Sequence, residues 1–139
     1  MTPIDASLIS RKANFIHQDL KKLTEHRQLT AKQYLADFDI QLRVERLLER
    51  IINRLIDINY HILKEKYQII PVDYSDSFDK LFEKKAISQT LLKNLKPAAG
   101  LRNVLAHDYD TIDPKKVYQG MQLTLKHIPI YLNHLLSRL

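Results

Sequence analysis

The sequence of 139 residues contains no cysteine and only two glycines. Without cysteine, disulfide bonds, thiolate catalysis and cysteine-ligated zinc are excluded. The scarcity of glycine disfavours an all-β fold with many tight turns, and neither G-x-x-x-x-G-K nor G-x-G-x-x-G, the common phosphate-binding motifs, occurs. No apolar run approaches the ~20 residues of a membrane-spanning helix, and the opening MTPIDASLIS lacks the basic start and apolar stretch of a signal peptide. These absences predict a cytoplasmic protein that does not enter a membrane.

The net charge of the chain indicates which kind of partner it favours. The chain carries 22 Lys and Arg against 16 Asp and Glu, a net charge of +6 with neutral histidines. An excess of this size favours polyanionic partners, nucleic acid foremost, because each neutralised phosphate releases counterions. Charge alone does not decide between nucleic-acid binding and an ordinary basic surface.

Apolar residues make up 45% of the chain, and their spacing predicts a single all-α bundle of about five helices. A first helix is predicted to begin after a cap at Asp5. A second, long helix is predicted from a capping box formed by Thr30 and Gln33 to about Tyr67, since no glycine or proline interrupts it.

The remaining helices are predicted from caps and prolines. Ser75 or Ser77 caps a short third helix, and Ser88 begins a fourth that Pro97 kinks by removing one backbone donor. The Asp-Pro pair at 113–114 supplies an N-cap and a first-turn proline for a fifth helix to the C-terminus.

The predicted long helix carries two apolar stripes, whereas a surface helix needs only one. Two stripes predict burial on both sides, against the protein's own core and against a second chain. One stripe comprises Leu35, Phe38, Leu42, Ile52, Leu55 and Ile62, and the other comprises Ile40, Val44, Leu47, Ile51 and Ile58.

The histidines do not predict a metal site. His17, His26 and His61 are scattered, and no H-E-x-x-H pattern occurs. His127 and His134 lie two helical turns apart, roughly 10 Å, which is too far for both to ligate one zinc ion within a chain.

The stretch RNVLAHDY, residues 102–109, holds the strongest candidate site. On a regular helix Arg102 and His107 point about 140° apart, whereas Asn103 and His107 share a face. A site that uses both Arg102 and His107 is therefore easiest to build near a helix end, or across a two-fold axis with a second copy. The alternative is that Arg102 extends to solvent and His107 only ends the helix near its negative dipole end.

The side chains of this stretch have complementary chemistry. An imidazole can accept or donate a proton near neutral pH, and a guanidinium stabilises negative charge on a phosphate. Tyr109 follows His107 by two residues, past the expected helix end. On spacing alone it could be a tyrosine that packs at the loop.

R-N-V-L-A-H-D-Y resembles the R-x-x-x-x-H-x-Y signature of the HepT toxins, a branch of the HEPN superfamily of helical ribonucleases. The resemblance covers nearly the whole chain. LRVERLLERIINRLIDINYHIL is similar to the long family helix, and FDKLFEKKAISQTLLKNLKPAAGLRNVLAHDYDTID follows the motif region in order. Pro97 and Pro129 depart from the pattern by interrupting helices.

The resemblance implies one HEPN-like domain over residues 1–139 that forms a symmetric homodimer with both motifs at a shared cleft. It further implies a metal-independent endoribonuclease without a cofactor, in which Arg102 and His107 are catalytic and Asn103 is a supporting polar residue. The RNA 2′-OH would attack its own phosphate, which gives 2′,3′-cyclic phosphate and 5′-OH ends.

The resemblance also implies control by a partner. HepT-like toxins pair with MntA-like nucleotidyltransferase antitoxins, which transfer AMP to the motif tyrosine, here Tyr109, and a hetero-oligomer with the antitoxin is expected. A bulky phosphate-bearing group beside His107 would fill the cleft and repel RNA. The alternative function is a non-catalytic helical adaptor that docks a nucleotidyltransferase or binds nucleotide.

Overall fold

The computed structural model describes residues 6–138, apart from the side chain of Tyr109. This part of the chain contains seven α-helices, one 3-10 turn and no strand, which confirms the all-α prediction. The predicted cap at Asp5 lies outside the described residues. The helices are α1 (Ala6–Thr24), α2 (Ala31–Leu35), α3 (Phe38–Tyr67), α4 (Tyr74–Glu83), α5 (Gln89–Leu95), α6 (Pro97–His107) and α7 (Pro114–Leu136), with the 3-10 turn at Tyr109–Thr111.

Helix α3 is the centre of the bundle. It contacts α1, α2, α4, α6 and α7, and the buried side chains of all these helices form one apolar cluster. Among the described helices, none combines the length and the apolar character that crossing a bilayer requires.

The prediction of one unbroken helix from residue 30 to 67 is wrong. The Thr30–Gln33 capping box is present, but it begins only the short α2. Asp37 then caps α3, because its carboxylate accepts a hydrogen bond from the backbone N–H three residues later (3.1 Å). The Nε2 atom of Gln41 donates to the backbone carbonyls of Tyr34 (3.1 Å) and Leu35 (3.2 Å) at the end of α2. Local side-chain hydrogen bonds therefore divide this segment.

The predicted fourth helix is also divided, into α5 and α6. Ser88 caps α5 as predicted, since its Oγ accepts from the Leu91 N–H (3.2 Å). Lys96 separates the two segments but keeps helical backbone angles (φ −55°, ψ −40°), so the chain continues in a helical direction into Pro97. The Nζ atom of Lys96 lies 3.0 Å from both carboxylate oxygens of Asp79 and ties this junction to α4.

The cap predicted for α4 is wrong, whereas that of α7 is confirmed. Asp73, rather than Ser75 or Ser77, caps α4, and its carboxylate accepts a hydrogen bond at 2.7 Å. Ser77 is instead fully buried within the helix. Asp113 caps α7, with a proline at the first helical position.

Both predicted apolar stripes of α3 are largely buried within one chain. Only the beginning of one stripe is open, where Phe38 is 68% and Leu42 50% exposed, together with Leu35 on α2. The two apolar stripes of α3 are therefore explained mostly by packing within the protein's own core. The buried stripe residues are Val44, Leu47, Ile51, Ile52, Leu55, Ile58 and Ile62.

An ion cluster joins α1 to α3. The buried carboxylate of Asp19 accepts hydrogen bonds from Arg50 Nε and Arg54 Nη1, each at 3.0 Å. The guanidinium of Arg54 also lies over the ring of Phe15, 4.7 Å from its centroid. Charged and aromatic contacts thus hold α1 in a defined position on α3.

Candidate active site

Arg102, Asn103 and His107 meet at the C-terminal end of α6. The Nη1 atom of Arg102 lies 3.4 Å from Nε2 of His107 and 3.5 Å from Oδ1 of Asn103. His107 is the last residue of α6, so the site is built at a helix end, one of the two arrangements that the sequence favoured. A single chain brings the three side chains together, and the 140° divergence on the helix therefore does not by itself call for a second copy.

The contact between Arg102 and His107 suits one tautomer of a neutral imidazole. A guanidinium has hydrogen-bond donors but no acceptor. A hydrogen bond between these atoms therefore requires Nε2 of His107 to accept, which places the ring hydrogen on Nδ1. In this state an unshared electron pair on Nε2 lies next to a fixed positive charge.

Arg102 does not extend into solvent, and the alternative reading of this residue is wrong. Its Nε donates a 2.6 Å hydrogen bond to Oδ1 of Asn53 on α3. Its guanidinium carbon lies 4.9 Å from the ring centroid of Tyr74 on α4. The side chain is half-buried between three helices.

Tyr74 is itself held by a second aromatic ring. Tyr60 on α3 packs edge-on against it, with centroids 6.0 Å apart and an interplanar angle of 75°. Burial raises the pKa of the Tyr60 phenol, and nearby Tyr74 and the carboxylates of Asp73 and Asp76 raise it further. Tyr60 therefore stays a neutral phenol at physiological pH, and the pair acts as a packed aromatic wall.

Tyr109 follows the site in the chain. Its backbone begins the 3-10 turn directly after Asp108, the C-cap residue of α6. Its side chain lies outside the described residues, so the role predicted for Tyr109 stays a prediction. Among the described side chains, no three His, Asp or Glu form a group that could hold a metal ion.

An open cleft of about 840 Å³ lies between α4, α5 and α6. Its walls include Ser75, Lys93, Lys96 and Gly100, and Lys96 is paired with the carboxylate of Asp79. The side chains of the Arg–His pair do not line this cleft.

Sequence reasoning missed Asn53 and Tyr74. Asn53 stands between the apolar pairs Ile51–Ile52 and Leu55–Ile56, so a polar side chain at this position of a core helix could have been noticed. No sequence signal relates Tyr74 to Arg102, because the two meet only through the packing of α4 against α6.

Comparison with known proteins identifies the family. The model of the family described as "Ribonuclease HepT-like" matches residues 16–135. The chain is 33% identical over its full length to the tRNA nuclease HepT of Aphanizomenon flos-aquae and covers 95% of that protein. It is 38% identical over 81 residues to the mRNA nuclease HepT of Shewanella oneidensis, an alignment that covers 58% of this chain and 61% of the relative.

A solved structure gives the same result for the fold. The chain is similar to the tri-AMPylated Shewanella oneidensis HEPN toxin in complex with MNT antitoxin, with a TM-score of 0.83 and 29% identity. The match covers 94% of this chain and 97% of the other. The HEPN-like fold predicted from the sequence is thereby confirmed. Sequence and structure agree that the chain belongs to the HepT-like ribonuclease family.

Proposed function

We propose that the protein is a metal-independent endoribonuclease toxin of a toxin–antitoxin pair, with Arg102 and His107 as its catalytic residues. The observation that carries the proposal is the 3.4 Å distance between a guanidinium nitrogen of Arg102 and the imidazole Nε2 of His107. Its relatives support it, because two are named as nucleases of tRNA and mRNA and a third as a HEPN toxin. The net charge of +6 suits an RNA substrate.

The reaction follows from the two groups. A phosphate that enters between them takes the guanidinium's hydrogen bonds and frees Nε2 of His107 for the neighbouring ribose 2′-OH. The imidazole accepts the hydroxyl proton while the oxygen attacks phosphorus in line. Arg102 stabilises the charge that develops on the phosphate oxygens. The bond from phosphorus to the 5′-oxygen breaks and that oxygen takes up a proton, leaving 2′,3′-cyclic phosphate and 5′-OH ends. Asn103, whose amide oxygen faces Arg102, supports the guanidinium.

The proposed enzyme is a homodimer with both motifs at one cleft. The exposed side chains of Phe38 and Leu42 support a second chain, since they lie on the same side of α3 as Asn53, within about 60° around the helix axis. Leu42 is roughly 16 Å along the axis from Asn53, so a copy bound there reaches the site region. In such a dimer one His107 is the base and its counterpart the acid.

The proposal includes control through Tyr109. A nucleotidyltransferase antitoxin of the MntA kind transfers AMP to the phenol and forms a hetero-oligomer with the toxin. The neighbouring structure supports this, because it is an AMPylated HEPN toxin in complex with MNT antitoxin. Tyr109 begins the turn that follows the helix ending at His107, two residues along the chain from the catalytic imidazole.

The testing experiment is RNA cleavage in excess chelator. Purified, unmodified protein is incubated with end-labelled tRNA and mRNA, and the new ends are identified. We expect cleavage with 2′,3′-cyclic phosphate ends, and its loss in a folded His107→Ala protein. His17→Ala, which changes an exposed histidine on α1, is the matched control and should cleave normally.

Two results would overturn the proposal. One is cleavage that requires a metal ion, and the other is unchanged cleavage by folded His107→Ala. A protein that cleaves neither RNA but still binds the nucleotidyltransferase would be the non-catalytic adaptor instead.

A further inference from the structure

Three helices supply the contacts of the Arg102 guanidinium. Asn53 on α3 accepts from its Nε, the ring of Tyr74 on α4 covers its face, and His107 on α6 faces its Nη1. We propose that Asn53 and Tyr74 are positioning residues that fix the orientation of Arg102 for RNA cleavage. The inference rests on the proposed function, and assigns part of the site to residues outside the sequence motif.

The two contacts restrain different movements of a planar group. The hydrogen bond at Nε fixes the rotation of the guanidinium within its plane, because Nε lies on one edge. The ring of Tyr74, 4.9 Å from the guanidinium carbon, fixes the tilt of that plane. Nη1 then faces Nε2 of His107 at 3.4 Å, and a phosphate that enters beside His107 meets the Nη groups in a fixed orientation. A catalytic group held in this way needs no reorganisation when the substrate arrives.

The chemistry of Asn53 suits this task better than a carboxylate would. Its neutral amide oxygen accepts the 2.6 Å hydrogen bond without cancelling the positive charge of Arg102. An aspartate of the same shape would keep the hydrogen bond but form an ion pair. That pair would compete with the phosphate for the guanidinium. The position therefore calls for an acceptor without charge.

Buried hydrogen bonds hold Tyr74 in place. Ser77 Oγ donates to the backbone carbonyl of Tyr74 (2.6 Å) and accepts from Asn59 Nδ2 (3.1 Å). The hydroxyl of Tyr131 on α7 donates to Oδ1 of Asn59 (2.6 Å). Asn59, Ser77 and Tyr131 are all fully buried, so this chain of contacts is shielded from water. On the outer side, the edge of Tyr60 supports the Tyr74 ring.

Four variants test the inference through steady-state cleavage of RNA by the purified dimeric toxin. Asn53→Ala and Tyr74→Leu should lower kcat by up to about a hundredfold, with KM changed much less, because positioning acts on the transition state. Asn53→Asp should lose more activity than Asn53→Ala, although aspartate has nearly the same shape as asparagine. Tyr74→Phe, which keeps the ring face, should recover most of the activity lost in Tyr74→Leu.

A spectroscopic readout accompanies the kinetics. In NMR spectra of ¹⁵N-labelled protein we expect a distinct signal for the Arg102 Nε–H. The signal is assigned by its disappearance in Arg102→Lys. In Asn53→Ala it should be weaker or averaged with the signals of other arginines. Tyr67→Leu is the matched control, because Lys66 lies over the Tyr67 ring (5.6 Å) in a separate pair of the same kind. The control should keep both the signal and the activity.

The outcomes separate this inference from the proposed function. If the wild-type protein does not cleave RNA, the proposed function fails, and the Nε–H signal alone decides on the positioning. If folded Asn53→Ala and Tyr74→Leu cleave at the wild-type rate, or Asn53→Asp is as active as wild type, the positioning role is overturned. Should the truncated variants not fold, the conservative pair Asn53→Asp and Tyr74→Phe still gives the answer.

Discussion

Arg102 uses two separate nitrogens of one side chain, Nε toward Asn53 and Nη1 toward His107. A lysine carries a single ammonium on a flexible stem and cannot make both contacts. We therefore expect Arg102→Lys to reduce single-turnover RNA cleavage by on the order of a hundredfold despite its preserved charge. Circular dichroism verifies that the variant is folded. Wild-type cleavage by Arg102→Lys would show that charge alone is sufficient at this position.

The second residue with a testable role is Tyr109. After co-expression with a nucleotidyltransferase partner, the chain should gain the mass of one or more AMP units and lose cleavage activity. Each unit adds one negative charge, but filling of the cleft should dominate, since salt screens exposed charges beyond roughly 10 Å at 0.1 M. Inhibition should therefore persist at high salt.

Intact-mass analysis and cleavage assays at two salt concentrations measure these effects. Tyr67→Phe is the matched control and should be modified like the wild type, whereas Tyr109→Phe should gain no adenylate mass. Modification of Tyr109→Phe to the same extent, or none of the wild-type chain, would exclude Tyr109 as the acceptor.

At the scale of helices, local signals were readable from the sequence and tertiary ones were not. The caps at Thr30, Ser88 and Asp113 were predicted, because each is a short-range hydrogen bond between a side chain and the next turn. Asp37 was missed because it lies inside an uninterrupted helical pattern. The break there also depends on Gln41, which binds the carbonyls at the end of α2.

The residues of the candidate site also fall into two groups, those predicted from the sequence and those that only the packing of helices brings in. The sequence motif gave Arg102, Asn103 and His107, and the structure brings these three together. Asn53 and Tyr74 could not be assigned, since their contacts with Arg102 arise only when α3, α4 and α6 pack. The role of Tyr109 came from family resemblance, and the dimer from that resemblance together with the two apolar stripes of the long helix; both stay predictions.

The contact between α1 and α3 provides a test of stability. Removing the buried carboxylate in Asp19→Ala leaves two arginines without their shared acceptor, which should lower the free energy of unfolding by roughly 1–3 kcal/mol. The matched control is Asp57→Ala, which breaks the more exposed Lys12–Asp57 pair between the same helices. This variant should change the free energy of unfolding by less than about 1 kcal/mol. Urea unfolding measures both, and equal effects would contradict the special role of Asp19.

Glu45 on α3 gives a pH-dependent prediction. Burial raises the pKa of its carboxyl above the ordinary value of 4.5. The folded chain thus binds this proton more tightly than the unfolded chain, so the charge at neutral pH opposes folding. Below the ordinary pKa both states are protonated and the effect disappears.

We therefore expect Glu45→Gln to raise the free energy of unfolding near pH 7 and to lose this gain as the pH falls toward 4.5. Urea titrations across that range measure it, with Glu25→Gln on an exposed side chain as the control. A gain that is independent of pH would point to a cause other than the charge.

At the scale of the whole molecule, the question is whether the two motifs of the proposed dimer act together. Each chain contains its own Arg102, Asn103 and His107 cluster. If one imidazole is the base and its counterpart the acid, a hybrid of wild-type and His107→Ala chains is inactive. When equal amounts of wild-type and His107→Ala chains are mixed at random, about a quarter of the dimers contain two wild-type chains. The mixture should then keep about a quarter of the cleavage activity of an all-wild-type sample, whereas independent sites would keep about half.

The measurement uses chains mixed by unfolding and refolding, with sedimentation to verify the dimer. A self-mixed wild-type sample is the control. Half of the activity, or full activity of a sedimenting monomer, would contradict a shared cleft.

Asn53 and Arg102 lie 49 positions apart in the chain. This separation has a consequence for how such enzymes are recognised and built. Transplanting RNVLAHDY to the end of another helix would carry over the imidazole and the guanidinium, but not the amide and the ring that hold them. A helical protein that acquires the octapeptide by chance is therefore expected to be inert. The octapeptide becomes informative only where an uncharged acceptor from one neighbouring helix and an aromatic ring from another can reach its arginine.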